Sequence, residues 1–191
     1  MGALPLEKEG RHYTYADYKD CELAEGERYE LIYGEPFAMS SPNEQHQLVL
    51  GNLFVQIYAF LRGKPCIVIP APFDVRLFYE EDESDDTVVQ PDIIVVCDEK
   101  KRGSEGCRGA PELAIEILSP SNTAIEMERK LVLYKEAEVS EYWVVDPVHK
   151  NVTVYNFPGG AILSKSYGSA DTLPVGVLPG LEIKLSGVFV E

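Results

Sequence analysis

Two stretches, VVQPDIIVV (Val88–Val96) and PELAIEILSPS (Pro111–Ser121), decide the reading of this chain. Each holds a strand-like apolar run that carries one carboxylate: Asp92 just ahead of IIVV, and Glu116 between Ile115 and Ile117. An ionised acid in apolar surroundings is costly unless it is paired or coordinates a metal. Both residues therefore ask for a partner, and a divalent metal ion held between two strand ends would supply it.

Working outward, IVIPAPFDVRLFY (67–79) is strand-like and returns through TVVQPDIIVV (87–96) as an antiparallel partner. The connection contains EEDESDD (80–86), which reads as a solvated hairpin loop. A basic, glycine-rich loop, EKKRGSEGCRG (99–109), leads to the core strand LAIEIL. Thr123 and Glu126 have capping-box spacing ahead of good helix formers, which predicts a long helix over TAIEMERKLVLYKEAEV. EYWVVDP and NVTVYNF then form a hairpin, and LPGLEIKL adds an edge strand.

Upstream, Thr14 and Asp17 predict a short helix from Tyr15 to Leu23, and RYELIYGEPFAM reads as a hairpin with turns at Gly26 and Gly34. Ser41, Pro42 and Glu44 mark a helix start by a side-chain cap, a proline and an acid, and this helix should run to Leu61. Val49, Leu53, Ile57 and Phe60 form its buried stripe, which His46 extends by one turn. A histidine so placed is either a hydrogen-bonded core residue or a border of the active site. Strands flanked by helices suggest an α/β or α+β fold, with a mixed central sheet covered on both faces.

At 191 residues the chain is long enough for one domain spanning residues 1–191. No apolar stretch approaches the roughly 20 residues that cross a bilayer, and no signal-like apolar region opens the chain, so a cytoplasmic location without membrane association is expected. Cys21, Cys66, Cys97 and Cys107 show no CxxC spacing, which argues against a zinc site and predicts four reduced thiols. The net charge of −15 disfavours loose binding to nucleic acid unless basic groups cluster at the site.

Pro91-Asp92 followed by Glu116 on the next core strand resembles the PD-(D/E)xK nuclease superfamily. RYELIYGE, SPNEQHQ, VVQPDIIVV, LAIEILSPS, ERKLVLYKEAEVSEYWVVDP and LPGLEIKL occur in the order found in one bacterial branch, the Uma-type restriction-endonuclease domain of unknown function. The resemblance covers roughly residues 13–190 and implies a restriction-endonuclease-like core. It further implies Asp92 and Glu116 as catalytic metal ligands, joined by the Ile117 carbonyl, and Mg2+ as the cofactor with Mn2+ as a substitute. Magnesium is a hard cation that prefers oxygen ligands and retains several waters. The reaction implied is endonucleolytic hydrolysis of phosphodiester bonds, with DNA as the expected partner and a symmetric homodimer as a plausible assembly.

The superfamily lysine belongs two positions after the acid, where this chain has Leu118. Lys130, on the following helix, is the expected substitute; it would orient or deprotonate the attacking water and neutralise phosphate charge. The same lysine also has the spacing of an ordinary surface pair with Glu126. Glu30 occupies the place of an additional superfamily acid, with a solvent-facing hairpin residue as the alternative. Tyr134, one turn beyond Lys130, lines the pocket or packs in the core, and Tyr142 and Trp143 should be buried. Lys100, Lys101, Arg102 and Arg108 are candidate phosphate contacts. The competing reading is a catalytically inactive module of the same fold with a binding or regulatory role, favoured by Leu118 and the acidic charge.

Overall fold

The computed structural model describes residues 11–21, 27–120 and 123–189. Three α-helices and three sheets are found among them: α1 (Tyr15–Lys19), then β1 (Tyr29–Ile32), β2 (Glu35–Ala38), α2 (Glu44–Leu61), β3 (Ile67–Pro70), β4 (Val75–Arg76), β5 (Val88–Val89), β6 (Ile93–Val96), β7 (Arg102–Gly103), β8 (Gly106–Arg108), β9 (Leu113–Ile117), α3 (Ala124–Glu136), β10 (Glu141–Asp146), β11 (Asn151–Asn156), β12 (Leu163–Gly168), β13 (Thr172–Pro174) and β14 (Glu182–Lys184). The arrangement is a mixed α+β fold.

The central sheet has the order β12-β11-β10-β9-β6-β3. The two decisive apolar runs lie side by side as β6 and β9, antiparallel, with Ile93 opposite Ile115 and Ile94 opposite Ala114. β10 pairs with β9 in parallel, because α3 intervenes as the crossover. Alternation then divides each strand between two cores. Ile93, Val95, Leu113, Ile115 and Ile117 pack with Leu53, Ile57 and Leu61 of α2 and with Ile183 and Leu185 near the C-terminus. Ile94, Val96 and Ala114 face the other way, toward Leu133 and Tyr134 of α3 and Val75 and Val89 of the second sheet. Glu116 shares the parity of Ala114, so it belongs to the face that α3 covers.

Several expectations are revised. The run from Ile67 to Tyr79 breaks around Pro70 and Pro72 into β3, which pairs with β6, and β4, which pairs with β5 in the second sheet. Proline cannot donate to a ladder, so the strand leaves one sheet and joins another there. The cap of α2 is Asn43, whose side chain accepts from the His46 N–H at 2.8 Å, and not Ser41. β14 pairs with β13 as a separate hairpin rather than forming an edge of the central sheet, and its apolar side closes the α2 core. Helix α1 ends at Lys19; Leu23 and the Gly26 turn lie outside the described residues.

Two chemical expectations also change. Asp85, within the acidic loop, is only 5% exposed. It pairs with the guanidinium of Arg76, whose Nε donates to Oδ2 at 2.9 Å, so one acid of six is structural while the loop around it is solvated. Cys66 and Cys97 form a disulfide, since the β3–β6 register brings them opposite each other just past Ile67 and Val96. Cys107 is a free, buried thiol. Among the described residues no helix is long and apolar enough to cross a membrane.

Candidate active site

Extending the β6–β9 register by one pair beyond Ile93 and Ile115 sets Asp92 opposite Glu116. A hydrogen bond from the Ile117 N–H to Asp92 Oδ2, 2.7 Å long, locks that approach. The same oxygen meets His46 Nε2 at 3.1 Å. His46 stands on the first turn of α2, so both open readings of this residue hold at once: it is buried and it touches the acid. Burial alone would disfavour its imidazolium, but the hydrogen bond and charge of Asp92 outweigh that and raise its pKa.

Glu116 is 8% exposed and directs Oε1 to two donors, Lys130 Nζ at 2.8 Å and the Tyr134 hydroxyl at 2.6 Å. These donors sit four residues apart on α3, one turn above the other. The capping box fixes the start of that helix, with Thr123 Oγ1 accepting from the Glu126 N–H and Glu126 Oε2 accepting from the Thr123 N–H. Glu126 is thus committed to the cap, and Lys130 turns inward instead of pairing with it. Glu30 of β1 completes the group: its Oε1 accepts from Lys130 Nζ at 3.0 Å and from the Gln90 N–H at 2.9 Å. It is buried, not solvent-facing.

The electrostatics follow from packing three acids around one lysine. Burial pushes the Glu116 carboxyl up to about 7; Lys130 opposes that rise, while Glu30 and Asp92 reinforce it. For Lys130, burial disfavours the ammonium, yet Glu116 and Glu30 hold its pKa above the ordinary lysine value. All four residues line one cavity of about 510 Å³, together with His46, Gln90, Ile117 and Leu118.

The donor set suits a hard cation. Asp92 and Glu116 each use one oxygen on protein donors, and the second oxygen of each has no hydrogen-bond partner among the described residues. The Ile117 side chain packs in the α2 core, so only its main chain is available at the cavity. Among the described residues no three His, Cys, Asp or Glu side chains are grouped to hold a metal, so an ion here would draw on two carboxylates and the Ile117 main chain. That number fits magnesium, which completes its shell with water.

The basic loop residues are elsewhere. Lys100, Lys101 and Arg102 follow the far end of β6, and at about 3.3 Å per residue the four-residue strand alone puts roughly 13 Å between them and Asp92. Lys101 Nζ bonds the Ala110 carbonyl at 2.7 Å, Arg102 bonds the carbonyls of Pro65 and Val96, and Arg108 stands over Tyr79. Arg28 and Arg129 line the cavity instead. The one sequence signal for Arg129 is its position beside Lys130.

A crystal structure from Anabaena variabilis, described as "a putative nuclease belonging to DUF820", superposes with a TM-score of 0.74 at 18% identity, covering 93% of this chain and 97% of that one. The likeness is one of fold. An uncharacterized protein from Synechocystis sp. is 24% identical over 159 residues, which is 82% of this chain and 81% of the relative. The family model named Uma2 and described as "Putative restriction endonuclease" matches residues 15–186, and this chain accordingly belongs to that family.

Proposed function

We propose that this protein is a metal-dependent endonuclease that hydrolyses phosphodiester bonds in DNA, with Mg2+ as the cofactor and Mn2+ as a substitute. The observation that carries the reading is Lys130: from α3 it places an ammonium 2.8 Å from Glu116, although the strand position two beyond Glu116 is Leu118. The helix thereby supplies the charge that the strand lacks.

Asp92, Glu116 and the Ile117 carbonyl would hold the ion. Bound there, it supplies Lewis-acid polarisation of a non-bridging phosphate oxygen. The His46 ring and the Ile117 N–H orient Asp92, and Tyr134 orients Glu116. Lys130 is held as an ammonium by its two carboxylates, so its role is to orient water and stabilise developing negative charge, not to abstract a proton. Glu30 positions Lys130.

Nicking of supercoiled plasmid with Mg2+ or Mn2+ tests the reading, comparing wild type with Asp92→Ala and Lys130→Ala. Metal-dependent nicking lost in both variants supports it; equal activity in all three rejects the site. The competing reading, a non-catalytic module, is favoured by the Leu118 side chain at the cavity wall and predicts intact plasmid with every metal.

A further inference from the structure

The reacting groups occupy part of a larger chamber. Its volume, about 510 Å³, falls within the roughly 300–1,000 Å³ typical of cavities that enclose a ligand. Met39, Leu50 and Met127, from three separate segments, give it apolar lining. Arg28 and Arg129 line it too, and neither guanidinium has an ion pair or hydrogen bond among the described residues. Arg129 lies 4.3 Å over the Phe37 ring, a cation–π contact that uses none of its N–H donors in a hydrogen bond among the described residues. Gln90 adds an unused acceptor: its Nε2 donates to Asp74 at 2.8 Å, while its Oε1 is buried without a partner. A buried acceptor in that state calls for a donor.

A partly open chamber that sets Met39, Leu50 and Met127 beside two guanidinium groups without polar partners and one unpaired acceptor is not a track for duplex DNA. A duplex is followed by rows of cations along its backbone, whereas this chain carries −15 and ties Lys101 and Arg102 to main-chain carbonyls at the far end of β6. Bases inside a duplex reach such a chamber only after unstacking, a cost that an unpaired strand avoids. Resting on the nuclease reading of the same site, we infer that the cavity receives one unpaired nucleotide, its base against Met39, Leu50 and Met127 and its phosphate held by Arg28 and Arg129. The substrate class is single-stranded nucleic acid, or the unpaired segments of a duplex, in preference to intact duplex.

Binding is read apart from cleavage by fluorescence polarisation with labelled oligonucleotides of one sequence, as single-stranded DNA, single-stranded RNA and blunt duplex DNA. Each is measured in EDTA and again with Ca2+. Either single strand should bind at least about tenfold more tightly than the duplex, and Arg129→Gln should weaken it about tenfold, the size of one charge-assisted hydrogen bond. The same substitution should flatten the dependence of log affinity on log salt by about 0.7, the loss of one single-strand phosphate contact. A preference for DNA or RNA identifies which strand is the source, and either outcome supports the inference. Equal or tighter duplex binding overturns it, as does unaltered affinity in both Arg129→Gln and Arg28→Gln, or no binding in either buffer. Single-strand binding without cleavage in any metal would sink the nuclease reading and leave this one standing; efficient duplex cleavage would do the reverse.

Discussion

Lys130 Nζ lies 2.8 Å from Glu116 Oε1, across the gap between α3 and β9, and its second partner, Glu30 Oε1, is 3.0 Å away on β1. One ammonium thus joins the consecutive elements β9 and α3 to β1, 100 residues earlier in the chain. Removing it should have two separable effects. Lys130→Met takes away the charge that stabilises the transition state, a loss of about 100-fold or more in cleavage rate. It also leaves two buried carboxylates facing each other, a cost of about 3–5 kcal/mol when one partner of a buried pair is removed. Thermal melting by circular dichroism finds a temperature at which the variant is folded, and nicking measured there isolates the catalytic loss. A folded Lys130→Met with wild-type rate would refute the assigned role.

Asp92 and Glu116 make a prediction that needs no substrate. If their open oxygens take a divalent ion, Mn2+ should bind wild type with micromolar affinity by calorimetry, and Glu116→Ala should bind none. Ligand binding to the folded state also raises stability, by about 2.7 kcal/mol at a hundredfold excess over Kd. The melting temperature of wild type should therefore climb with Mn2+ and fall back with EDTA, while Asp92→Asn stays flat. Identical Mn2+ responses in wild type and both variants would place the ion elsewhere.

The acidic loop offers a test of buried against solvated charge within seven residues. Arg76 gives Asp85 a two-pronged ion pair and donates Nη2–H to the Glu80 carbonyl at 2.7 Å, with its guanidinium 3.8 Å over the Tyr15 ring. Asp85→Ala strands that cation and should cost about 3–5 kcal/mol in urea unfolding. Glu81→Ala, exposed on the same loop, should change stability by no more than about 0.5 kcal/mol. Comparable costs for the two substitutions would contradict the pairing.

What could be read from the chain, and what could not, follows from the range of the interactions. The runs at Ile93–Val96 and Leu113–Ile117 are apolar on both faces, which only the centre of a covered sheet satisfies, and they are neighbours there. The α3 capping box is local and shows in the single three-residue spacing from Thr123 to Glu126. Asn43 as the α2 cap was masked by the stronger-looking Ser41-Pro42, although its offset of three from His46 is the capping signal. The pairing of His46 with Asp92 and of Lys130 with Glu30 depends on contacts between distant segments, for which one chain holds no local mark. Neither does a run of six acids reveal which one turns inward. The loop cations lie away from the site for a simpler reason: EKKRG follows β6, at the opposite end of the strand from Asp92.

Glu141 gives a pH prediction away from the active site. It opens β10, is 1% exposed, and accepts from the Trp143 indole at 2.6 Å and the Val177 N–H at 3.1 Å, fastening the central sheet to the segment ahead of β14. Burial raises its pKa above 4.5, although the hydrogen bonds from Trp143 and from Val177 and Gly176 pull the other way. An acid with a raised folded pKa binds more protons folded than unfolded, so its contribution is most favourable below pH 4.5 and is lost as pH rises through the folded value. Glu141→Gln cannot ionise and lacks this dependence. In urea melts from pH 4 to pH 8, the stability of wild type relative to Glu141→Gln should fall as pH rises above 4.5 and level off once the folded carboxyl has ionised. A difference that stays constant across the range, or that grows in favour of wild type, would mean that Glu141 is ionised without penalty and that burial does not govern it.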